Sequence, residues 1–391
     1  MISREQRAQQ ILKQLIRIRT PQPAGDEKDA VSYLYDLFEG YPVERMILDH
    51  GGNRASMVVT VPGTDRSRSV AVAGHLDTVG VDREDLWQYA PFSAFCSGDK
   101  VYGRGAADMK GGVTSIVLAA LTLLERGFRP VPDVRLCFTA DEETGGMGAR
   151  ALCGSGCLDN VTELVIVKPT NERIGLAEKG AIWLSLEVEG AGSHAAVPEN
   201  GVNAVEQAAV FAQSIAKWLR KKGKYRLLGY STCTITRLHG GIHANVVPER
   251  AQAAFDIRTS PNIDHASLLE QIRRIADEQM HKNASLKLSY TITQDRPALG
   301  MDEDAPLVRR FAEIFGRLKM PWETTGIRYF TDASVFVPWL GVPFVIIGPG
   351  EEIFFHQPDE YVSLQSVLRI SQVLEEYLWN MTKKHDEEVW Q

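Results

Sequence analysis

"ELVIVKPT", residues 163–170, decides the fold. Leu164 to Val167 form an apolar run with no polar interruption. That is the pattern of a strand covered on both faces rather than one half exposed to water. Pro169 has no N–H to donate and ends the pairing. Lys168 then stands at the carboxyl end of a buried strand. Either it reaches back to water along its aliphatic stem, or it stands in a site.

Other stretches repeat this pattern. "SMVVTVP", "SVAVAGHLDTV", "VRLCFTADEE" and the late "VPFVIIGPG" are continuous apolar runs bounded by turn residues. Helical periodicity lies between them. Ile11, Leu12, Leu15, Ile16 and Ile18 share one face, and Thr20-Pro21 ends that helix. Further helices are expected over 26–39, 109–127, 305–318 and 364–384. Alternation of such strands and helices predicts an α/β fold, a largely parallel sheet flanked by helices.

From about residue 180 to 293 the character changes. "IWLSLEVEG" alternates apolar and polar residues. A helix over 202–222, strands "CTITRLHG" and "RAQAAFDIRTS", a helix over 265–280 and the strand "SLKLSYTIT" follow. The order β-α-β-β-α-β is the split βαβ pattern of a two-layer, ferredoxin-like α+β domain. "VPFVIIGPG" would rejoin the first sheet. The expected division is therefore a first domain of residues 1–179 and 294–391, with residues 180–293 inserted into it.

The chain has 391 residues, room for two domains, with 44% apolar and 24% charged residues, an ordinary soluble composition. Its net charge of −7 lends no support to nucleic-acid binding, which needs a basic face. No apolar run approaches the ~20 residues that cross a bilayer, so no membrane partner is expected. The charged, amphipathic N-terminus lacks the core of a signal peptide, and the cytoplasm is the expected location. Cys153 and Cys157 stand among five cysteines without a second metal-type pair, and read as reduced thiols. "KWLRKKGK" reads as a solvated helix end.

Polar groups collect just past the apolar strands. In "GHLDTVG", His75 and Asp77 are two residues apart and point the same way from an extended chain. A histidine with a carboxylate neighbour can be a metal ligand and its orienter, or a structural pair at a strand end. In "GRGAADMKGG", Asp108 follows a glycine-rich turn before a helix, where it could also be an N-cap. "DEETGG" crowds Asp141, Glu142 and Glu143 at one strand end, and a divalent cation would relieve their repulsion. His356 lies in "FFHQPDEYV". Two histidines and several carboxylates at one sheet edge suit zinc, or cobalt or manganese, and metal-assisted hydrolysis.

The chain resembles the M20 peptidases: aminoacylases, acetylornithine deacetylases, succinyl-diaminopimelate desuccinylases and glutamate carboxypeptidases. The matching stretches are "GHLDTV", "GRGAADMKGG", "DEETGG", "GAGSHAAVPENGVNAV", "GGIHANVVPERAQAAFDIR", "YFTDASVF" and "GPGEEIFFHQPDEYV", in family order across nearly the whole chain. The resemblance implies that His75 binds a metal, oriented by Asp77, and that Asp108 bridges two metals. It implies that Glu142 is the general base, and that Glu143 and His356 complete the other metal site. It makes His194 an oxyanion donor, which in dimeric members reaches in from the partner subunit. Asn245 and Arg258 match positions that hold polar or carboxylate groups of the substrate. The implied activity is amide hydrolysis of an N-acyl amino acid or small peptide by a cytoplasmic homodimer whose inserted domain serves as lid and dimerisation module.

One position departs from the family. Where its members carry a glutamate or aspartate that shares a metal with the first-strand histidine, this chain has Lys168. An ammonium has no lone pair for a metal. Glu163, expected before the strand, and Glu172, past the turn, do not obviously replace the lost oxygen. Four explanations stand: a one-metal enzyme with Lys168 in the second metal's place; a neutral or carbamylated lysine that ligates; a pseudoenzyme that binds an acyl-amino acid or peptide but hydrolyses it poorly; or a substitution introduced into the chain. The one-metal enzyme ranks first, with one zinc, cobalt or manganese ion per chain expected rather than two.

Overall fold

The computed structural model describes residues 2–382. The chain forms two compact units. One comprises residues up to Leu176, Met301–Thr325 and the chain from Thr331 onward; the other comprises Ala177–Gly300 and Gly326–Phe330.

A mixed sheet organises the first unit. Its strands lie in the order Glu44–Gly51, Arg54–Val61, Pro132–Thr139, Asp65–His75, Val161–Ile166, Phe344–Ile346 and Ile174–Glu178. The middle four are parallel, as their continuous apolar runs predict. The flanking pairs are antiparallel. On one side this follows from a hairpin, in which Gly51 and Gly52 take positive φ between the first two strands. Glu44–Gly51, at the sheet edge and half to fully exposed, has an apolar run of only three residues, Met46 to Leu48, too short to read as a buried strand.

Helix Gly111–Glu125 is buried along almost its whole length and packs against Leu364–Trp379 and Arg4–Arg17. With the turn before it, the stretch Ala106–Glu125 is apolar enough to cross a membrane, although the sequence reading found no such run. Yet 94% of its apolar window is buried inside the protein, as in a core helix. Met147–Gly154 packs on Ala333–Leu340. The helix expected over 364–384 ends at Trp379 and continues as a 3-10 turn to Thr382; residues 383 and 384 lie outside the described residues.

In the second unit, four antiparallel strands lie in the order Thr232–Gly240, Arg250–Thr259, Gly180–Glu189, Lys287–Arg296. Helices Ala204–Lys221 and His265–Lys282 pack on each other and on this sheet. Their apolar stripes and the inward residues of the strands, among them Phe211, Ile215, Leu184, Phe255 and Ile272, form one core.

Candidate active site

Parallel strands of an α/β sheet gather ligands at their carboxyl ends. Four such ends meet in the first unit. His75 closes Asp65–His75 level with Thr139, and Asp141 to Glu143 follow Thr139 directly. Lys168 follows Val161–Ile166, and the loop to His356 follows Phe344–Ile346.

His75 is buried. Its Nε2 lies 3.1 Å from Asp108 Oδ1 and 3.6 Å from Glu142 Oε2. Its Nδ1 is 3.0 Å from the Asp77 carbonyl and 3.5 Å from the Asp77 carboxylate. The backbone of Asp77, rather than its carboxylate, therefore makes the shorter contact to the ring. The carboxylate accepts from the N–H groups of Glu142 and Glu143, both at 3.1 Å, and from Gln22 Nε2 at 2.8 Å. Burial alone would push the Asp77 carboxyl up; the His75 ring, Gln22 and the Glu143 N–H outweigh it and hold it at about 2.

Asp108 is no N-cap. Its φ of −111° and ψ of 94° interrupt the turn before Gly111–Glu125, and no capping bond forms. Its carboxylate turns toward His75 and toward Lys168 Nζ, 3.3 Å away. Lys168 is 3% exposed, so it does not snorkel to water. Its Nζ donates to Glu142 Oε1 at 2.8 Å. Burial by itself would lower the Lys168 pKa, but the charges of Asp108, Glu142 and Glu143 hold it well above the ordinary lysine value. A neutral amine, which carbamylation requires, is disfavoured there.

The backbone around Lys168 is tightly enclosed. A Cβ on Gly112 would lie 2.1 Å from the Val167 carbonyl oxygen, and one on Gly348 would lie 2.5 Å from that of Lys168. Glycine at both positions lets a helix and a loop close on the strand end. Glu163 and Glu172, the carboxylates nearest in sequence, are engaged. Glu163 lies inside its strand, not before it, and holds Arg310 through two 2.8 Å contacts. Glu172 pairs with Arg369.

Glu143 and His356 meet on the far side of Asp108. His356 Nε2 is 3.4 Å from Glu143 Oε2 and 3.9 Å from Asp108 Oδ2. Asp108, Glu143 and His356 each offer one ligand atom, all within 4.8 Å of one another. Glu143 Oε1 is buried with no hydrogen-bond partner, and burial, then the charge of Asp108, raises its pKa. An orphaned carboxylate oxygen beside an imidazole and a second carboxylate fits one divalent ion of the zinc type. His75, Glu142 and Glu143 also come within the same span. There, however, the ammonium already contacts Glu142 and Asp108. An ion about 4 Å from Lys168 would be repelled by about 8 kcal/mol at an effective dielectric near 20, twice the value for unit charges. The ammonium sets the His75 side of the centre apart from the His356 side.

The remaining candidates belong to the second unit. His194 lies on an exposed loop, and its Nδ1 accepts from the Ala196 N–H at 3.1 Å. That bond leaves the ring proton of the neutral form on Nε2, as a donor. Asn245 lies on an exposed loop beside it, its carbonyl accepting from Ala195 N–H. Arg258 spends its fork on Asp256, at 2.8 and 3.0 Å, so it is not a free carboxylate clamp. Lys179 was not singled out from the sequence. Burial lowers its pKa, and so do the positive charges of Arg328 and Arg258.

Glu360 was also missed. It is buried and accepts from Arg104 Nη1 at 2.6 Å and from the N–H groups of Gly105, Ala107 and Asp108 at 3.0, 2.9 and 3.1 Å. It braces the turn that presents Asp108. Its signal lay in plain view, four residues after His356 in "HQPDEYV", but a lone glutamate in a loop carries no pattern of its own.

The sequence profile of peptidase family M20/M25/M40 matches residues 71–380. A probable succinyl-diaminopimelate desuccinylase of Staphylococcus aureus is 29% identical over 94% of this chain and 95% of its own length. Two solved structures share the fold: an M20 metallo-carboxypeptidase of Sulfolobus solfataricus, with a TM-score of 0.79 at 17% identity over 97% of this chain and 100% of that one, and a dinuclear metal-binding M20 peptidase of Bacillus subtilis, with a TM-score of 0.71 at 18% identity over 97% and 98%. With the profile spanning most of the chain and the mixed α/β architecture in agreement, this protein belongs to peptidase family M20/M25/M40 and is a metallo-amidohydrolase of that family.

Proposed function

We propose that the chain hydrolyses the amide bond of an N-acyl amino acid or small peptide, with one divalent ion per chain held by Asp108, Glu143 and His356. The observation that carries this reading is the orphaned, buried Glu143 Oε1 set beside Asp108 and His356, with Glu142 next in sequence. A bound divalent ion of the zinc type supplies a Lewis acid and lowers the pKa of water. Glu142 takes the proton of the attacking water and returns it to the leaving amine. Lys168 holds one oxygen of that base in place and leaves the other for the proton. His194, with its proton on Nε2, donates to the oxygen that gains charge.

The acyl group is proposed to be small and carboxylated, as the desuccinylase name of the relative suggests. The positive charges of Lys179 and Arg328 in the second unit support an anionic substrate. Dimerisation is assigned to the second unit, whose edge strand Thr232–Gly240 leaves most of its side chains exposed. That unit would then act as lid and dimer module. Zinc is the expected metal, and the cytoplasm the expected location.

The test is hydrolysis of a panel of N-succinyl and N-acetyl amino acids and dipeptides by the zinc-loaded protein. Glu142→Gln should lower kcat by about 10²- to 10⁴-fold with little change in KM. Binding without turnover across the panel in the unaltered chain would sink the hydrolase reading.

A further inference from the structure

Half of this centre already contains a cation. Lys168 Nζ lies 2.8 Å from Glu142 Oε1 and 3.3 Å from Asp108 Oδ1, the same Asp108 oxygen that faces His75 Nε2 at 3.1 Å. We propose that the Lys168 ammonium is a built-in replacement for a second divalent ion, closing the His75 side of the centre to metal and leaving one ion on the His356 side. This rests on the one-ion hydrolase reading above and adds to it the residue that sets the metal count.

Charge balance is the first argument. A carboxylate at position 168 together with a divalent ion would bring one net positive charge. An ammonium brings the same charge in a single group.

Confinement is the second. Lys168 is 3% exposed, and its backbone is closed in by Gly112 and Gly348. Two carboxylates near position 168 in sequence are also spent: Glu163 is bound to Arg310 and Glu172 to Arg369, so neither of these is released to hold an ion beside His75. The consequence for chemistry is that the position of Glu142 is fixed by a protein side chain rather than by a second metal.

Metal content separates these ideas. The full chain, Lys168→Glu and His356→Ala would each be saturated with zinc, dialysed and measured by inductively coupled plasma mass spectrometry, with zinc titration calorimetry in parallel. Far-UV circular dichroism and the melting midpoint report folding. One ion per chain is expected for the unaltered protein, close to none for His356→Ala, and two for Lys168→Glu. Two ions in the unaltered protein overturn the proposal. So does an ion held by His356→Ala as tightly as by the unaltered protein, because loss of a ligand should weaken it, or one ion in a Lys168→Glu variant that folds normally. If Lys168→Glu does not fold, the unaltered chain and His356→Ala still decide. Counts of one, none and two with no hydrolysis of any acyl substrate support this inference and sink the proposed function instead. No ion in the unaltered chain overturns both.

Discussion

Glu360 shows what a single residue can do without touching a reacting group. Its carboxylate gathers one guanidinium and three backbone N–H groups onto the turn Gly103 to Asp108, and it is 1% exposed. Burial pushes its pKa up, against the pull of Arg104. A glutamine there keeps the shape but loses the charge and one strong acceptor. Breaking a buried ion pair by removing one partner costs about 3–5 kcal/mol. Glu360→Gln is therefore expected to lose about 3 kcal/mol in urea unfolding. It should also bind zinc about 10- to 100-fold more weakly by calorimetry, because Asp108 loses its brace. Zinc affinity unchanged in a folded variant would show that the turn holds Asp108 without Glu360. Asp77 works in a similar way from the other side, fixing the backbone of Glu142 and Glu143.

Among elements, the helix Gly111–Glu125 is the one that shapes the centre. Its first turn lies against the end of the Lys168 strand, and the contact leaves no room for a Cβ at Gly112. Alanine would gain about 1 kcal/mol of helix propensity. Against that, a Cβ 2.1 Å from the Val167 carbonyl must drive the helix or the strand aside. Overpacking in a close-packed core costs about 1–3 kcal/mol, and more where backbone must move. The clash should win, because backbone meets backbone and no flexible side chain can yield. Gly112→Ala is expected to lower the melting midpoint, and a midpoint equal to or above that of the unaltered chain would contradict this account. The same substitution at Gly316, where a Cβ meets nothing within 4 Å, serves as a control.

On the scale of the whole molecule, the two units carry different parts of the proposed chemistry. The first brings together His75, Asp77, Asp108, Glu142, Glu143, Lys168 and His356; the second carries His194, Asn245 and Arg258. If His194 serves the centre of the partner subunit, each single variant is inactive by itself. Mixed His194→Ala and Glu142→Gln chains, after unfolding and refolding together, should recover about one quarter of full activity, since half of the dimers are mixed and each has one intact centre. No recovery in a mixture proven to contain mixed dimers would place His194 in its own chain's reaction, or outside the reaction altogether.

Much of this was legible in the linear sequence. Continuous apolar runs marked the strands buried on both faces but not their direction, since Arg54–Val61 carries the same pattern and is antiparallel to both neighbours, and Pro169 marked where one run had to stop. The candidates His75, Asp108, Glu142, Glu143 and His356 could be read because each polar group follows directly on an apolar run or a glycine turn. The sequence also marked Lys168 as a cation at a ligand's position. What that cation does was decided by tertiary structure. Lys168 meets Glu142 across 26 residues, and Glu360 meets Arg104 across 256. A hydrophobic pattern encodes which face of a strand is buried. It does not encode which distant carboxylate will arrive beside an ammonium, because that depends on how strands order in the sheet and how closely a helix can approach them.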